Sequence, residues 1–139
     1  MFDIDGLQPV VSPAPDGEQF WAAAREHRLE LPHCEDCDSA FFYPRVICPR
    51  CGSRAIRWVR SDGRGILYSF CVQYRSAIPG LTSSPFVTAL VDLDDGPRMM
   101  GFLVGVPDDP EQIRCGTRVQ VGFADLEDGQ TVLTFRPAE

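Results

Sequence analysis

The sequence predicts a mainly β chain: one helix near the N-terminus, a small unit held by four cysteines, then a closed barrel of five short strands. Three observations predict it. Two Cys-x-x-Cys pairs stand ten residues apart, five strand-like runs separated by turn signals fill the last 75 residues, and one stretch near the N-terminus carries apolar residues at spacings of three and four.

Residues 1–15 are rich in Pro, Gly and Asp and read as an extended arm. From Gly17 to Leu31 the residues Phe20, Trp21, Ala24, His27, Arg28 and Leu31 recur at helical spacing, with Asp16 as N-cap and Glu18 in the first turn. The expected organisation is therefore arm and amphipathic helix over residues 1–31, cysteine unit over 32–59 and barrel over 60–139.

In the cysteine unit, Cys34-Glu-Asp-Cys37 and Cys48-Pro-Arg-Cys51 flank a β-rich loop. A two-residue spacing lets both sulfurs of a pair converge on one ion, and two such knuckles close a tetrahedral four-thiolate shell. A closed shell has no position for water, so the ion is structural. It substitutes for a core that so short a segment cannot bury. Zinc is the expected ion, with iron on the same four thiolates or a pair of disulfides as the alternatives. Gly52 after Cys51 suits a tight knuckle, and Asp38 holds the matching place after Cys37. His33 is expected beside the shell or in solvent, and His27 on the helix surface.

The barrel is read from Gly65–Tyr74, Phe86–Leu93, Arg98–Val106, Arg118–Phe123 and Thr131–Arg136. In the first run Ile66, Tyr68, Phe70, Val72 and Tyr74 alternate with Leu67, Ser69, Cys71 and Gln73, the period of a half-buried strand. Asp94-Asp95-Gly96 reads as a hairpin turn. Five short strands with glycine at the bends suit a closed barrel of the OB type, which leaves no exposed sheet edge.

Composition narrows the function. With 44% hydrophobic and 10% aromatic residues the chain is expected to fold. There is no apolar leader or long apolar run, which points to a reducing cytoplasm and no membrane. The net charge of −7 argues against nucleic acid, but it is uneven: Arg45, Arg50, Arg54, Arg57, Arg60 and Arg64 face only Asp62, giving +5 locally and −12 elsewhere. The chain has no lysine, which removes Schiff-base chemistry and Walker-type phosphate loops.

A nucleophile needs a base, and the two histidines lie beside the metal unit, away from the five strand-like runs. Cys71 and Cys115 read as ordinary structural cysteines, and the acids at Asp92, Asp94, Asp95, Asp108, Asp109, Asp125, Glu127 and Asp128 as solvated connections. The arginine segment has two readings: bidentate guanidinium contacts to the phosphates of coenzyme A, or a solvated face with salt bridges to a partner.

Phe20-Trp21, the paired knuckles with Phe42-Tyr43-Pro44-Arg45 between them, Gly63-Arg64-Gly65 before a strand and the closing Phe135-Arg136-Pro137 together resemble the DUF35 family, in which a rubredoxin-like zinc ribbon precedes an OB-fold. The resemblance covers residues 18–138. It implies that Cys34, Cys37, Cys48 and Cys51 bind one structural zinc. It also implies that the chain is a non-catalytic subunit of a thiolase-like partner (a thiolase, aldolase or acyltransferase) in lipid, steroid or aromatic-compound metabolism. A coenzyme A thioester is the expected shared ligand, in a channel the two proteins form together. Arg45, Arg50, Arg54, Arg57, Arg60 and Arg64, with Phe20, Trp21, Phe41, Phe42 and Tyr43, are the candidate coenzyme A or partner contacts. The competing reading is a single-stranded nucleic-acid-binding OB module, which the acidic barrel disfavours.

Overall fold

A computed structural model describes residues 14–75, 85–127 and 129–138. The arm expected over residues 1–15 therefore lies almost wholly outside the described residues. A 3-10 turn, Pro15–Gly17, leads into α1, Glu18–Arg25. Phe20, Ala23 and Ala24 form its buried face, while Glu18 and Arg25 sit at the ends where their charges suit the helix dipole.

The helix is shorter than its apolar spacing predicts, and Asp16 does not cap it; the N-cap is Gly17, with no side-chain hydrogen bond. It ends in a Schellman arrangement. The Arg28 N–H donates to the Ala23 carbonyl and the His27 N–H to the Ala24 carbonyl, with His27 in the left-handed region at φ 60°. Leu31, which read as the end of the helix, instead lies with Leu29 on β1, Leu29–Cys34, and both are buried. Period two and period 3.6 are nearly indistinguishable over so few residues, and Pro32 favours the extended form.

β1 is the centre of a three-stranded antiparallel sheet, between β2, Ser39–Ala40, and β3, Ile56–Ser61. The register sets Cys34 opposite Ile56 and Leu29 opposite Ser61. The remaining strands are β4, Arg64–Gln73; β5, Phe86–Leu93; β6, Arg98–Leu103; β7, Arg118–Asp125; and β8, Thr131–Pro137. They close a barrel in the order β4-β5-β6-β8-β7, with β7 pairing back to β4. The only parallel pairing among the described strands is β6 with β8, where Phe102 meets Thr134 and Leu103 meets Phe135. This is a closed five-stranded OB barrel.

Two glycines permit that closure. A Cβ on Gly101 would lie 2.9 Å from the ring of Phe135, which is 0% exposed. Gly63, at φ +69° between β3 and β4, sits so close to β7 that a Cβ would fall 2.0 Å from a Val121 methyl. Its carbonyl accepts from the Val121 N–H at 2.8 Å.

The main core is continuous across the elements: Phe20 of α1 and Leu29 and Leu31 of β1 join Leu67, Val87, Val91, Met99 and Phe135 of the barrel. In β4 the pairing slips between Leu67 and Ser69, a bulge that reverses the strand's phase. Before it, Leu67 is buried while Ile66 and Tyr68 are 41% and 51% exposed; after it, Phe70 and Val72 pack against the core.

Replacing Gly101 by Val is expected to destabilise the chain by about 1–3 kcal/mol, because Phe135 has no open side to move into. Urea unfolding followed by tryptophan fluorescence measures this, and a loss under about 0.5 kcal/mol would contradict the proposed close approach.

Candidate metal centre and arginine surfaces

Cys34 closes β1, Cys37 follows one turn later, and Cys48 and Cys51 come from the second knuckle. Their four sulfurs all lie within 4.8 Å of one another. Cys34 and Cys51 are 3.5 Å apart and Cys37 and Cys48 3.6 Å. A tetrahedron of sulfurs about 2.3 Å from a zinc ion has edges of roughly 3.8 Å, whereas a disulfide needs about 2.05 Å. The spacing is that of ligands and not of disulfides.

Each knuckle turns through the left-handed region straight after its second cysteine, at Asp38 (φ 52°) and Gly52 (φ 76°). The Arg50 N–H points at the Cys48 sulfur at 3.4 Å, and the Ser39 hydroxyl lies 3.1 Å from the Cys37 sulfur. Burial opposes ionisation of Cys48, but the N–H groups of Cys51 and Arg50 outweigh it and bring the thiol down to about 6. At Cys51 a Ser53 N–H favours the thiolate; the crowding of the Cys34, Cys48 and Cys37 thiols and desolvation prevail and push it up to about 12. A divalent cation relieves that crowding. His33 does not join the shell: its Nε2 lies 2.8 Å from Asp38 Oδ1, pinning the knuckle residue from outside.

His27 is placed differently from expectation. It is not on a helix surface remote from the barrel but against β7, its ring stacked on Phe123 at 5.5 Å and its Nε2 2.9 Å from Asp125 Oδ2. The buried Thr131 hydroxyl donates to the other oxygen of Asp125 at 2.8 Å. That hydroxyl is committed to the carboxylate, so the trio fastens the helix terminus to the barrel and supplies no nucleophile to the imidazole.

All six arginines of the segment are exposed, but they do not share one site. Arg57 pairs with Glu35 at 3.5 Å. Arg60 lines a cleft with His27, Arg28 and Gln120, while Arg64 lines a different groove with Arg118 and Arg136. Arg118 and Arg136 escaped the sequence reading because strand register, not chain proximity, brings them to Arg64. Among the aromatics, Phe20 and Phe41 are buried, at 1% and 7% exposure, and leave the set of surface contacts. Trp21 and Phe42 remain half-buried against Phe20, and Tyr43, also half-buried, packs on Phe42.

Residues 21–57 match the ChsH2 rubredoxin-like zinc ribbon domain, and residues 58–124 match the ChsH2 C-terminal OB-fold domain. The solved chain described as Ltp2-ChsH2(DUF35) aldolase superposes with a TM-score of 0.80 at 31% identity, covering 95% of this chain and 100% of that one. Two curated relatives are a probable enoyl-CoA hydratase alpha subunit of Thermomonospora curvata, 34% identical over 95% of this chain, and the 3-oxo-4,17-pregnadiene-20-carboxyl-CoA hydratase alpha subunit of Mycobacterium tuberculosis, 33% identical over 89%. This chain spans 40% of the length of each. The fold and the four-sulfur site define a zinc-ribbon OB-fold protein. The chain belongs to the DUF35 family, in its ChsH2-like form. No helix among the described residues is long and apolar enough to cross a membrane.

Purified chain is expected to hold about one zinc per molecule, and Cys48→Ser to lose it and the ribbon's protease resistance together. Metal analysis with limited proteolysis checks this; full zinc retention by the variant would remove Cys48 from the shell.

The acid pairs give a pH dependence. Arg118 holds the Asp94 carboxyl below its ordinary range, as Arg98 does Asp92. Thr131 and then His27 do the same for Asp125. A depressed folded-state value means stability present above the unfolded value and lost as pH falls through the folded one. Asp94→Asn is therefore expected to be less stable than the parent near neutrality, with the gap closing below about pH 4. Parallel denaturation curves across pH measure it, and a pH-independent gap would contradict the assignment.

Proposed function

We propose that the chain is a non-catalytic zinc-binding subunit of a thiolase-like enzyme, a thiolase, aldolase or acyltransferase acting on acyl-CoA substrates, and that it helps form the partner's acyl-CoA channel. The observation that carries this reading is the match along the whole of the ChsH2(DUF35) aldolase chain. The enoyl-CoA and 3-oxo-4,17-pregnadiene-20-carboxyl-CoA hydratase alpha subunits among the relatives support the substrate class.

The chemistry of this chain agrees. Its four best ligands are committed to one closed shell; of its two His–Asp pairs among the described residues, His33–Asp38 braces a knuckle and His27–Asp125 is tied to a buried threonine and an aromatic stack. What remains is surface for association. Val46 and Ile47 stand 56% and 40% exposed on the second knuckle, between Arg45 and Arg50. On the barrel, Ile66, Tyr68 and the 62% exposed Met100 form a second apolar area, where the Arg98 guanidinium sits 3.5 Å over the Tyr68 ring. A stable complex buries more than about 1,000 Å², and exposed apolar side chains beside arginines suit the composition of such an interface. The nucleic-acid reading is disfavoured by the −7 charge.

Affinity purification of the tagged chain from its native host, with partners identified by mass spectrometry, is expected to recover a thiolase-like protein. Acyl-CoA cleavage or transfer is then expected from the pair and not from this chain alone. Recovery of nucleic acid, or full activity from the chain by itself, would overturn the proposal.

A further inference from the structure

We propose that the outer face of β4, β7 and β8 is an anion site for a small phosphorylated organic ligand, with Arg64, Arg118 and Arg136 as its recognition elements. It goes beyond the proposed function, because Arg118 and Arg136 lie far in sequence from the ribbon's arginine segment and the site needs no partner to form.

Strand register builds the site. Arg64 pairs with Gln120, and Gln120 with Arg136, so the three stand in one row across adjacent strands. Arg118 is two residues from Gln120 on β7 and therefore on the same face. With strands about 4.8 Å apart, the ends of the row are separated by roughly 10 Å, a span that long guanidinium side chains close around a phosphorylated group. All three arginines line one open groove of about 530 Å³, together with Gln120, Val119, Pro137 and Ala138. That volume lies within the range of small-molecule sites, and its apolar side suits an organic body.

The charges are arranged for a ligand. Asp94 grips Arg118 with two bonds, at 2.9 and 2.7 Å, which fixes the guanidinium plane. Arg64 and Arg136 form no hydrogen bond or close ion pair among the described residues, although Arg64 adds to Arg118 in holding the Asp94 carboxyl below its ordinary range. Gln120 is held aside, its amide donating to the Asp62 carbonyl at 2.7 Å. Among the described residues the groove's lining carries three arginines and no carboxylate, with Asp94 outside it paired to one of them. Phosphoryl oxygens match paired guanidinium N–H donors, which makes phosphate the preferred anion. Arg45, Arg50 and Arg54 share no such cavity among those described, and Arg57 is paired with Glu35.

Calorimetry on the zinc-loaded full chain at low ionic strength tests the site with inorganic pyrophosphate, ADP and adenosine 3′,5′-bisphosphate. Saturable one-to-one binding of pyrophosphate is expected, weakened at least about ten-fold in R64Q and in R136Q and unchanged within about two-fold in R50Q. All of these side chains are exposed, and unaltered melting temperatures confirm that the variants fold. Of the two nucleotides, tighter binding of the bisphosphate assigns the site to a coenzyme A-type ligand, and tighter binding of ADP to a nucleoside diphosphate. Absence of saturation, an equal loss in R50Q, or tighter binding of oligothymidylate or a glutamate-rich peptide would overturn the proposal. Because the isolated chain is used, this result stands apart from the identity of the partner.

Discussion

Four thiols gathered within 4.8 Å of one another form a stable group only around a cation, and the rest of the chain is arranged on that constraint. The ribbon's own buried cluster is Cys34, Phe41 and Cys48, with Cys37 and Ile56 packed against it. Its interior is thus largely the ligand set itself. Yet Cys34 ends the same strand whose Leu29 and Leu31 enter the barrel core. Metal ligation therefore fixes the direction of β1, and β1 carries two of the side chains over which the barrel closes. Ribbon and barrel are coupled through one strand, not merely joined by a linker.

The junction reinforces that coupling from the other side. β3 runs into β4 through Gly63, wedged against Val121, while the Ser61 hydroxyl accepts from the Gly63 N–H at 3.0 Å and donates to Asp95. His27 adds a second fastening through Asp125 and Phe123. With the ribbon held in this way, arginines that are neighbours in sequence diverge. Arg60 faces the cleft between ribbon and barrel, and Arg64 the barrel exterior.

Much of this was legible in the sequence. Cys-x-x-Cys spacing identifies ligands because only side chains so placed converge on an ion, and the five barrel strands emerged within a few residues of their ends because turn signals bracket each one. The positive φ of Asp38 and Gly52 also followed from their places after each knuckle. The misses share a cause. The helix overran because Leu31 stands at helical spacing from His27 and Arg28 and at strand spacing from Leu29, and the choice between the two periods is made by the ribbon sheet. His27 was placed on a helix because a left-handed histidine has no composition signal of the kind glycine provides. Arg118 and Arg136 were overlooked because cross-strand register is not written in local spacing.

The slip at Tyr68 makes β4 a strand with two reading frames. Its first half turns Ile66 and Tyr68 to the outside, and its second half turns Phe70 and Val72 inward, although one uninterrupted alternation runs through the letters. Adhesive exterior and sealed interior are thereby encoded by the same amphipathic rhythm, and the position of one supernumerary residue decides where the first becomes the second. Moving it along the strand would redraw the boundary between what the barrel hides and what it offers, with no change in amino-acid content.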